Sequence, residues 1–458
     1  MTENDRLYQL AHKPVGRLLW QYSLPGVVGM LVQALYNVVD RIFIGQWCGP
    51  DAIAGLTVTF PLMNIATAVG VLVGVGSCSR ISIALGKGDR ELADRYLGNA
   101  LTLTILNAII YISVFALLME PLLRAFGASS ATLPIAAEYM YRLLPGLLLI
   151  NVAFSLNNVM RASGYPQRAM ATMIIGAIVN VILDPIFIRV FDMGIVGAAL
   201  ATDIAMGVSA VFVLAHFARR DSTVRFRRHT FGLNTTIVLG IVSIGAAPAL
   251  VNAASCGINA IVNTSLAAYA PEGTADTAIA AAGIFVTFTS LAVTVVLGIC
   301  QGLQPILGYN YGAGLAHRLK RTYGLAVTVA TALTALASIV GLVAPQYVAR
   351  AFTADERLID FTCFAIRHSV WAFAAVGFQI ISTALFQSIG KAGKSIFLGL
   401  VRQVIFMVPL LLLLPRYAGM SGVWLSFPIS DLFATVITVG MVRWQLRALP
   451  RLEPGAAA

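Results

Sequence analysis

Charged residues are scarce in this sequence, at 11% of 458 residues, whereas soluble domains carry about a quarter. Hydrophobic residues make up 58% of the chain, and the mean hydropathy is +0.83. A surface in contact with water needs more charge than this sequence supplies. The scarcity therefore excludes a soluble globular protein and indicates an integral membrane protein.

Motifs for catalysis and metal binding are also missing from the sequence. The five cysteines are odd in number, fall mostly within apolar runs and show no CxxC or other metal-ligand spacing, so we interpret them as packing residues. The segment "GKAGKS", which begins at Gly390, lacks the leading glycine of a P-loop and would join two membrane helices. The GxGD pattern that ends at Asp89 is flanked by Lys87 and Arg90, which favours a wet cytoplasmic loop over an intramembrane protease site. We predict that the chain is not an enzyme and uses no cofactor, and that its energy comes from an ion gradient.

Long apolar stretches fill most of the remaining sequence, and each can cross the roughly 30 Å hydrocarbon core of a bilayer as a helix. They are twelve in number and lie at residues 18–46, 53–79, 96–119, 131–156, 168–190, 194–217, 236–264, 278–306, 322–343, 362–387, 395–414 and 421–444. The first is too long for the apolar region of a signal peptide, so we expect it to remain as the first helix. The predicted fold is all-α, with residues 1–218 as a six-helix N-lobe, 219–234 as a basic cytoplasmic linker, 235–448 as a six-helix C-lobe and 449–458 as a cytoplasmic tail.

The basic residues are placed as in a membrane protein. A net charge of +11 would suggest a nucleic-acid partner in a soluble chain, but here Lys and Arg gather in alternate loops, on the side shared by both termini. They include Arg6, Lys13, Arg17, Arg219, Arg220, Arg225, Arg227, Arg228, Arg318, Lys320, Arg321, Arg443, Arg447 and Arg451. Cytoplasmic loops carry this excess, so we predict that both termini are cytoplasmic and that there is no nucleic-acid partner.

The two halves of the chain repeat a pattern of glycines at one constant offset. Gly76, Gly86, Gly98 and Gly164 recur as Gly302, Gly312, Gly324 and Gly390. Each such glycine marks a turn or a close helix approach, so a run of matches indicates an internal duplication. Because each copy has an even number of helices, the lobes are expected to be related by a pseudo-two-fold axis along the membrane normal. A cleft between two such lobes can open to either side of the membrane.

Carboxylates at membrane depth are costly and mark functional sites by default. Asp40 lies in the first helix on one face with Gln33 and Asn37, and Asp184 lies in the fifth helix one turn after Asn180. Weaker candidates are Asp203 in the sixth helix and Asp431 in the twelfth. Burial and a nearby second carboxylate both disfavour the charged form, so a pair of such acids can take up a proton on one side and release it on the other. The alternative for Asp40 is pairing with Arg41, although adjacent residues on a helix point apart.

The second half has no matching acids in its corresponding helices. Its seventh helix has Asn259 and Asn263 where Tyr36 and Asp40 would fall, and its tenth helix has Arg367 and His368 but no carboxylate. Two prolines, Pro25 in the first helix and Pro185 beside Asp184, each remove a helical hydrogen bond. Broken helices are typical of transporter sites, and a purely structural kink explains each proline equally well.

Five segments in fixed order resemble the multidrug and toxic compound extrusion (MATE) transporters, most of all the bacterial branch with the MepA-like and DinF-like pumps. They are "YNVVDRIFIG", "AIAGLTVTFPLMNI", "LGKGD", "NNVMRASGYPQRAM" and "NVILDPIF". The resemblance spans nearly the whole chain. It implies a monomer in the bacterial inner (plasma) membrane that exports amphipathic, often cationic, drugs by alternating access, in antiport with H+ or Na+.

The resemblance also implies roles for particular residues. The family's N-lobe cation site, which would hold H+ or Na+, falls on Asp40, Asn180, Asp184 and Thr202. Its drug cavity would place Tyr36, Asn37, Tyr139, Asn157 and Met173 near the substrate, and its first-helix hinge falls on Pro25. Members with a C-lobe Na+ site use carboxylates in helices seven and ten. This sequence has none there, so no metal site is expected beyond the N-lobe.

A flippase for lipid-linked precursors, of the same superfamily, is the main alternative. Such proteins usually line their cavity with several Arg or Lys residues that hold phosphates. In this sequence only Arg142 and Arg367 are expected within the membrane, whereas the deep acids favour a cationic cargo. A channel fits less well than a transporter, because paired lobes and kinked helices suit alternating access.

Overall fold

The computed structural model describes residues 3–219 and 222–449, and within them the regular structure is entirely helical. The α-helices are α1 (Glu3–His12), α2 (Val15–Cys48), α3 (Pro50–Gly86), α4 (Arg90–Ala125), α5 (Thr132–Ala162), α6 (Pro166–Pro185), α7 (Gly194–Ala218), α8 (Thr235–Tyr269), α9 (Ala275–Gly312), α10 (Ala316–Val343), α11 (Pro345–Arg350), α12 (Glu356–Ser369), α13 (Ala374–Ser388), α14 (Ala392–Leu400) and α15 (Val408–Ala448). Two π-helical segments, Ile186–Val190 and Val401–Met407, extend α6 and join α14 to α15.

The described residues contain the twelve membrane crossings that the apolar stretches predict. Ten helical runs are long and apolar enough to cross a membrane, and α12 with α13, bent by 58°, forms one more broken crossing. One of the ten, Ala392–Ala448, has 57 residues, which at 1.5 Å per residue is about 85 Å and too long for one crossing. It reverses at Gly419, whose φ of 55° and ψ of −141° are incompatible with a helix. Counting that run twice confirms the predicted fold class.

The two lobes meet through two equivalent helix pairs, α2 with α9 and α3 with α8, and through the contact of α3 with α9. Glycines make both contacts close. A Cβ on Gly302 of α9 would collide with the backbone of Tyr22 and Ser23, and a Cβ on Gly76 of α3 would collide with the carbonyl of Ile241 on α8. Gly76 and Gly302 were predicted to be equivalent, and they hold equivalent places, one at each half of the lobe interface.

A second pair of glycines fixes the register between the first and seventh crossings, which are α2 and α8. A Cβ on Gly26 would meet the carbonyl of Gly298, and a Cβ on Gly245 would meet the carbonyl of Leu72. Leu72 and Gly298 are related by the same offset as Gly76 and Gly302, so Gly26 is equivalent to Gly245.

This register corrects the sequence alignment of these two helices by four residues, about one turn. Asp40 is equivalent to Asn259, and Tyr36 is equivalent to Ser255. The sequence comparison paired Asn263 with Asp40. That pairing was wrong, because equivalent residues of the first and seventh helices are fewer residues apart in the sequence than the repeated glycines are. The C-lobe helix still has no carboxylate at the equivalent position.

The predicted basic linker is attached to the N-lobe along its described part, residues 222–234. Asp94 of α4 accepts a hydrogen bond from the backbone N–H of Arg225 at 2.9 Å and forms an ion pair of 2.6 Å with Arg227. Asn99, also on α4, accepts from the backbone N–H of Asn234 at 2.9 Å. Linker residues 220–221 and residues 450–458 of the predicted tail lie outside the described residues.

The short helix α1 contacts both halves of the chain. The guanidinium of Arg6 lies 3.9 Å from the ring centroid of Tyr165, which precedes α6 in the N-lobe. On the other side, Arg318 of α10 donates to the carbonyls of Leu10 at 3.3 Å and Lys13 at 2.6 Å. Leu10 is completely buried. This helix is thus a bridge between the lobes at one end of the molecule.

Candidate functional site

Three of the four residues predicted for an ion site form one hydrogen-bonded group. Asn180 and Asp184 lie one turn apart on α6 and are both 0% exposed. The amide nitrogen of Asn180 donates to Asp184 Oδ1 at 3.4 Å and to Thr202 Oγ1, on α7, at 3.3 Å. The side chains therefore join α6 to α7 inside the N-lobe, immediately before Pro185 and the π-helical segment that ends this crossing.

Asp40 of α2 completes the group from the other side. Its carboxyl group lies within hydrogen-bonding reach of the carboxyl group of Asp184. The alternative partner, Arg41, interacts with Asp40 only through space: its exposed guanidinium lies 5.3 Å from the ring centroid of Phe60, and within the described residues it forms no ion pair with Asp40. The structure thus brings all four predicted residues together from three helices.

Several oxygens of this group have no hydrogen-bond donor among the described residues. They are Asp40 Oδ1, Asp184 Oδ2 and Asn180 Oδ1, all buried. Two carboxylates at such close range cannot both stay ionised without a cation or proton between them. Carboxylate, amide and hydroxyl oxygens are also ligands that hard cations prefer. The arrangement therefore fits either a shared proton or a bound Na+.

Two of the tyrosines predicted to lie near substrate border the acids. Tyr36 lies one turn before Asp40 on α2 and interacts electrostatically with Asp40 and Asp184. Tyr139 of α5, which is 2% exposed, interacts with the same two acids and with Asp203. Both phenol groups therefore lie near enough to the carboxylates to sense their charge, and Tyr139 does so from a buried position.

The remaining residues predicted near substrate are placed differently. Asn37 lies three residues before Asp40 on α2 and is exposed. Met173 packs with its sulfur on Gly29 of α2, eleven residues or about 16 Å before Asp184 along α6. Asn157 donates to the carbonyl of Ala169 at 2.8 Å and links α5 to the start of α6. It lies about 27 Å along α5 from Tyr139. Their roles in substrate binding stay predictions, and Asn157 also has a structural role.

The predicted hinge, Pro25, lies in the interior of α2 and is buried. The helix continues through it from Val15 to Cys48. The neighbouring residue Gly26 contacts the backbone of Gly298, so the proline lies at the lobe interface. A proline removes one backbone donor from the helix, which weakens α2 at this contact; its role as a hinge stays a prediction.

Asp203 is a third acid at the edge of the site. One of its carboxyl oxygens, Oδ1, is buried and has no side-chain donor in the described part of the chain. The carboxyl group lies against the backbone of Gly146, where a Cβ would collide with it. Gly146 follows Pro145 inside α5. From the sequence, Asp203 is only a weaker candidate than Asp40 and Asp184, and no local pattern relates it to those acids on other helices.

Sequence reasoning missed Arg402. It lies in the π-helical segment between α14 and α15, and its Nε is 3.2 Å from Asp431 Oδ1. By contrast, Arg142 and Arg367, which were expected within the membrane, are both exposed. A single arginine in the otherwise apolar stretch 395–414 was the feature that could have revealed Arg402.

Comparisons with known proteins place the whole chain among transporters. The family model MatE matches residues 25–186 and 249–413. The multidrug export protein MepA of Staphylococcus aureus (strain MSSA476) is 25% identical over 430 residues, which are 94% of each chain. Two solved structures each align with a TM-score of 0.90 and 26% identity, over 97% of this chain and 98% of theirs. One is the outward-facing conformation of a multidrug resistance MATE family transporter of the MOP superfamily, and the other is a MATE protein in the bent conformation.

Proposed function

Because the chain belongs to the MatE family of multi-pass membrane transporters, we propose that it is a secondary active multidrug efflux transporter. It exports amphipathic, cationic compounds by alternating access, in antiport with H+ or Na+ held at Asp40, Asn180, Asp184 and Thr202. The observation that carries this proposal is the facing pair of carboxyl groups whose buried oxygens have no donor in the described residues.

The ion and the cargo compete for the pair of acids. With a proton or Na+ bound, the pair is neutralised and has little attraction for a cationic drug. When the ion leaves, the two carboxylates repel each other and attract a cation, which the half-buried ring of Tyr36, one turn before Asp40, would also favour. Antiport requires a site that holds either the ion or the cargo, but not both at once.

The lobe interface supports alternating access. The lobes touch through α2 with α9, α3 with α8 and α3 with α9, and glycines at these contacts bring the helix backbones close together. Asp40 lies on α2, one of these interface helices. A change of charge at Asp40 therefore acts on an element that also contacts the other lobe.

We further propose a bacterial inner (plasma) membrane location with both termini in the cytoplasm. Basic residues from separate helices meet at one end of the molecule, where Lys320 of α10 lines a surface hollow with Arg443 and Arg447 of α15. This end also holds α1 and the linker. The positive-inside rule assigns such an end to the cytoplasm.

The structure gives little support to the flippase alternative. Arg402 is an additional cation within an apolar crossing, but it is paired with Asp431. A phosphate-binding cavity needs several unpaired cations, whereas the N-lobe site has acids.

Transport by the purified protein in proteoliposomes tests the proposal. A cationic dye such as ethidium is followed under an imposed pH gradient and, separately, under an imposed Na+ gradient. We expect gradient-driven dye movement under one of the two conditions, which identifies the coupling ion. Dye movement that ignores both gradients would contradict antiport.

A further inference from the structure

A polar hollow lies at the end of the molecule that holds α1. Its polar lining comes from three helices, through Arg6 and Gln9 of α1, Gln21 and Tyr22 of α2, and Gln167 and Arg168 at the start of α6. Arg168 is about 24 Å along α6 from Asp184, so this α1–α6 hollow is separate from the ion site. Its volume is about 130 Å³, whereas about 15 Å³ suffices for one water molecule. The hollow is therefore large enough for a small polyatomic ligand.

Two guanidinium groups meet at this hollow. The Cζ atoms of Arg6 and Arg168 lie 3.9 Å and 5.1 Å from the ring centroid of Tyr165. Nη1 of Arg6 is buried and has no hydrogen-bond acceptor among the described residues. Neither arginine forms an ion pair in the described part of the chain, and no carboxylate among the described side chains lines the hollow. Two like charges beside one ring repel each other, so an anion placed between them would be stabilised.

Neutral hydrogen-bond donors surround the two cations. The hydroxyl group of Tyr22 lies beside Gly164 at the hollow and has no partner in the described residues, although Tyr22 is only 3% exposed. The carbonyl oxygen of Gln21 accepts a hydrogen bond from Lys13, so its amide hydrogens are left for another acceptor. Helix α6 has no side-chain cap at its N-terminus, where backbone N–H groups and the helix dipole favour an anion. The hollow thus combines charged donors, neutral donors and a helix N-terminus.

Contacts with the rest of the N-lobe hold the lining in position. The phenol oxygen of Tyr165 accepts a hydrogen bond from the backbone N–H of Thr223, in the linker, at 3.3 Å. Arg168 donates from Nη1 to Nδ1 of the buried His216 on α7 at 2.9 Å. A site whose side chains are already ordered loses less entropy when a ligand binds. The hollow therefore has the ordered lining that a binding site requires.

We propose that the α1–α6 hollow binds the phosphate group of an anionic ligand. Its donors come from α1, α2 and α6, so an anion with oxygens in several directions fits better than a planar carboxylate. Arginine forks and helix N-termini are both common phosphate-binding groups in proteins. The phosphate belongs either to a lipid headgroup or to a soluble compound. Because the hollow lies at one end of the molecule and away from the acids, this ligand is distinct from the cargo, and the inference goes beyond the proposed function.

A bound phosphate ties α1 to the N-lobe. The same helix is attached to the C-lobe, where Arg318 donates to the carbonyls of Leu10 at 3.3 Å and Lys13 at 2.6 Å. A ligand stabilises the conformation that holds its binding groups together. Phosphate at Arg6 and Arg168 therefore favours the arrangement in which α1 joins the two lobes, and its release favours separation of the lobes at this end.

Binding of radiolabelled inorganic phosphate to the full chain, delipidated in a neutral detergent, tests the site. Wild type is compared with Arg6→Gln, Tyr22→Phe and the control Arg17→Gln, which removes an exposed positive charge from the first turn of α2. We expect a single phosphate per chain in wild type and in the control. Arg6→Gln should weaken binding about tenfold or more, the strength of a charge-assisted hydrogen bond. Tyr22→Phe should weaken it roughly threefold, because a neutral donor is lost.

Thermal unfolding separates phosphate binding from a structural role of Arg6. Phosphate should raise the Tm of wild type and of Arg17→Gln, because a ligand that binds only the folded state stabilises it. It should leave the Tm of Arg6→Gln nearly unchanged. If Arg6→Gln instead lowers Tm by the same amount with and without phosphate, Arg6 has only a structural role and the proposal is wrong.

Competition experiments identify the source of the phosphate. Displacement of the label by short-chain phosphatidylglycerol but not by the matching diacylglycerol assigns a lipid headgroup, as does a loss of co-purified phospholipid in Arg6→Gln. Displacement by glycerol phosphate but not by phosphatidylglycerol assigns a soluble ligand. The proposal is overturned if wild type binds no phosphate and Arg6→Gln retains its phospholipid, or if Arg17→Gln weakens binding as much as Arg6→Gln does. None of these measurements requires transport, so a failure of dye efflux contradicts the proposed function alone.

Discussion

Asp40 on α2 and Asp184 on α6 face each other with their carboxyl groups in hydrogen-bonding reach, and each has a buried oxygen that accepts no hydrogen bond from the described residues. Such a pair is stable only when a proton or a cation lies between the two groups. The helices that carry the two acids are far apart in the sequence. A change in ion occupancy therefore changes the force between α2 and α6, two helices that contact each other directly.

Asn180→Ala should abolish coupled transport and lower stability. The variant removes the donor to both Asp184 and Thr202 and leaves buried acceptors unpaired, at a cost of about 1–3 kcal/mol. Dye efflux and thermal unfolding in detergent measure the two effects. Asn310→Ala is the matched control, because Asn310 is equally buried but bonds to carbonyls of Leu10 and Ile306. It should lose stability and keep ion-dependent efflux; loss of coupling in both variants would contradict a specific role for Asn180.

Gly146→Ala should displace Asp203. A Cβ at position 146 collides with the carboxyl group of Asp203, and forced repacking of a tight contact costs about 1–3 kcal/mol. Gly207→Ala on α7 is the control, since its Cβ would make only ordinary contact with Leu149 at 3.7 Å. Combining Gly146→Ala with Asp203→Ala should recover part of the lost Tm. Additive losses in the double variant would show that the two positions do not interact.

Gly245→Ala should disturb the lobe interface. Its Cβ would collide with the carbonyl of Leu72 on α3, whereas a Cβ at Gly257, on the same helix, would meet no atom within 4 Å in the described residues. We expect Gly245→Ala to reduce dye efflux and lower Tm, and Gly257→Ala to leave efflux unchanged and raise stability by up to about 1 kcal/mol through helix propensity. Equal efflux by the two variants would argue against a tight contact between α3 and α8.

Arg318→Met should release α1 from the C-lobe. The variant removes the donors to the carbonyls of Leu10 and Lys13. Limited trypsin digestion should then cut faster at Arg6 and Arg17 than in wild type, because a released backbone is a better protease substrate. Arg321→Met, which removes an exposed positive charge from the same helix, is the control. Unchanged cleavage in Arg318→Met would show that other contacts hold α1.

The sequence predicted those features that depend on local patterns. The lengths of the apolar stretches predicted the membrane crossings. The spacing of Asn180 and Asp184 predicted that both lie on one face of α6. Grouping them with Asp40 and Thr202 needed the family resemblance, because no local pattern relates residues on three separate helices. The reversal at Gly419 falls between the predicted stretches 395–414 and 421–444, where Pro415 and Arg416 interrupt the apolar run.

Other features depend on tertiary contacts that sequence does not encode locally. The attachment of the linker to Asp94 of α4 and the pairing of Arg402 with Asp431 join residues far apart in the chain. The alignment of α2 with α8 failed by one turn because few side chains are shared between these helices. Glycine contacts at Gly26 and Gly245 corrected it, since a close backbone approach fixes the register more strictly than a polar side chain does.

Gradient-driven dye efflux by Asp40→Asn, Asp184→Asn and the double variant tests the central claim most directly. Proteoliposomes with equal amounts of inserted protein are compared under the gradient that drives wild type. If the two carboxyl groups act as one ion site, each single variant abolishes gradient-driven efflux and the double variant is no worse than either. Efflux at the wild-type rate in either single variant would contradict the account.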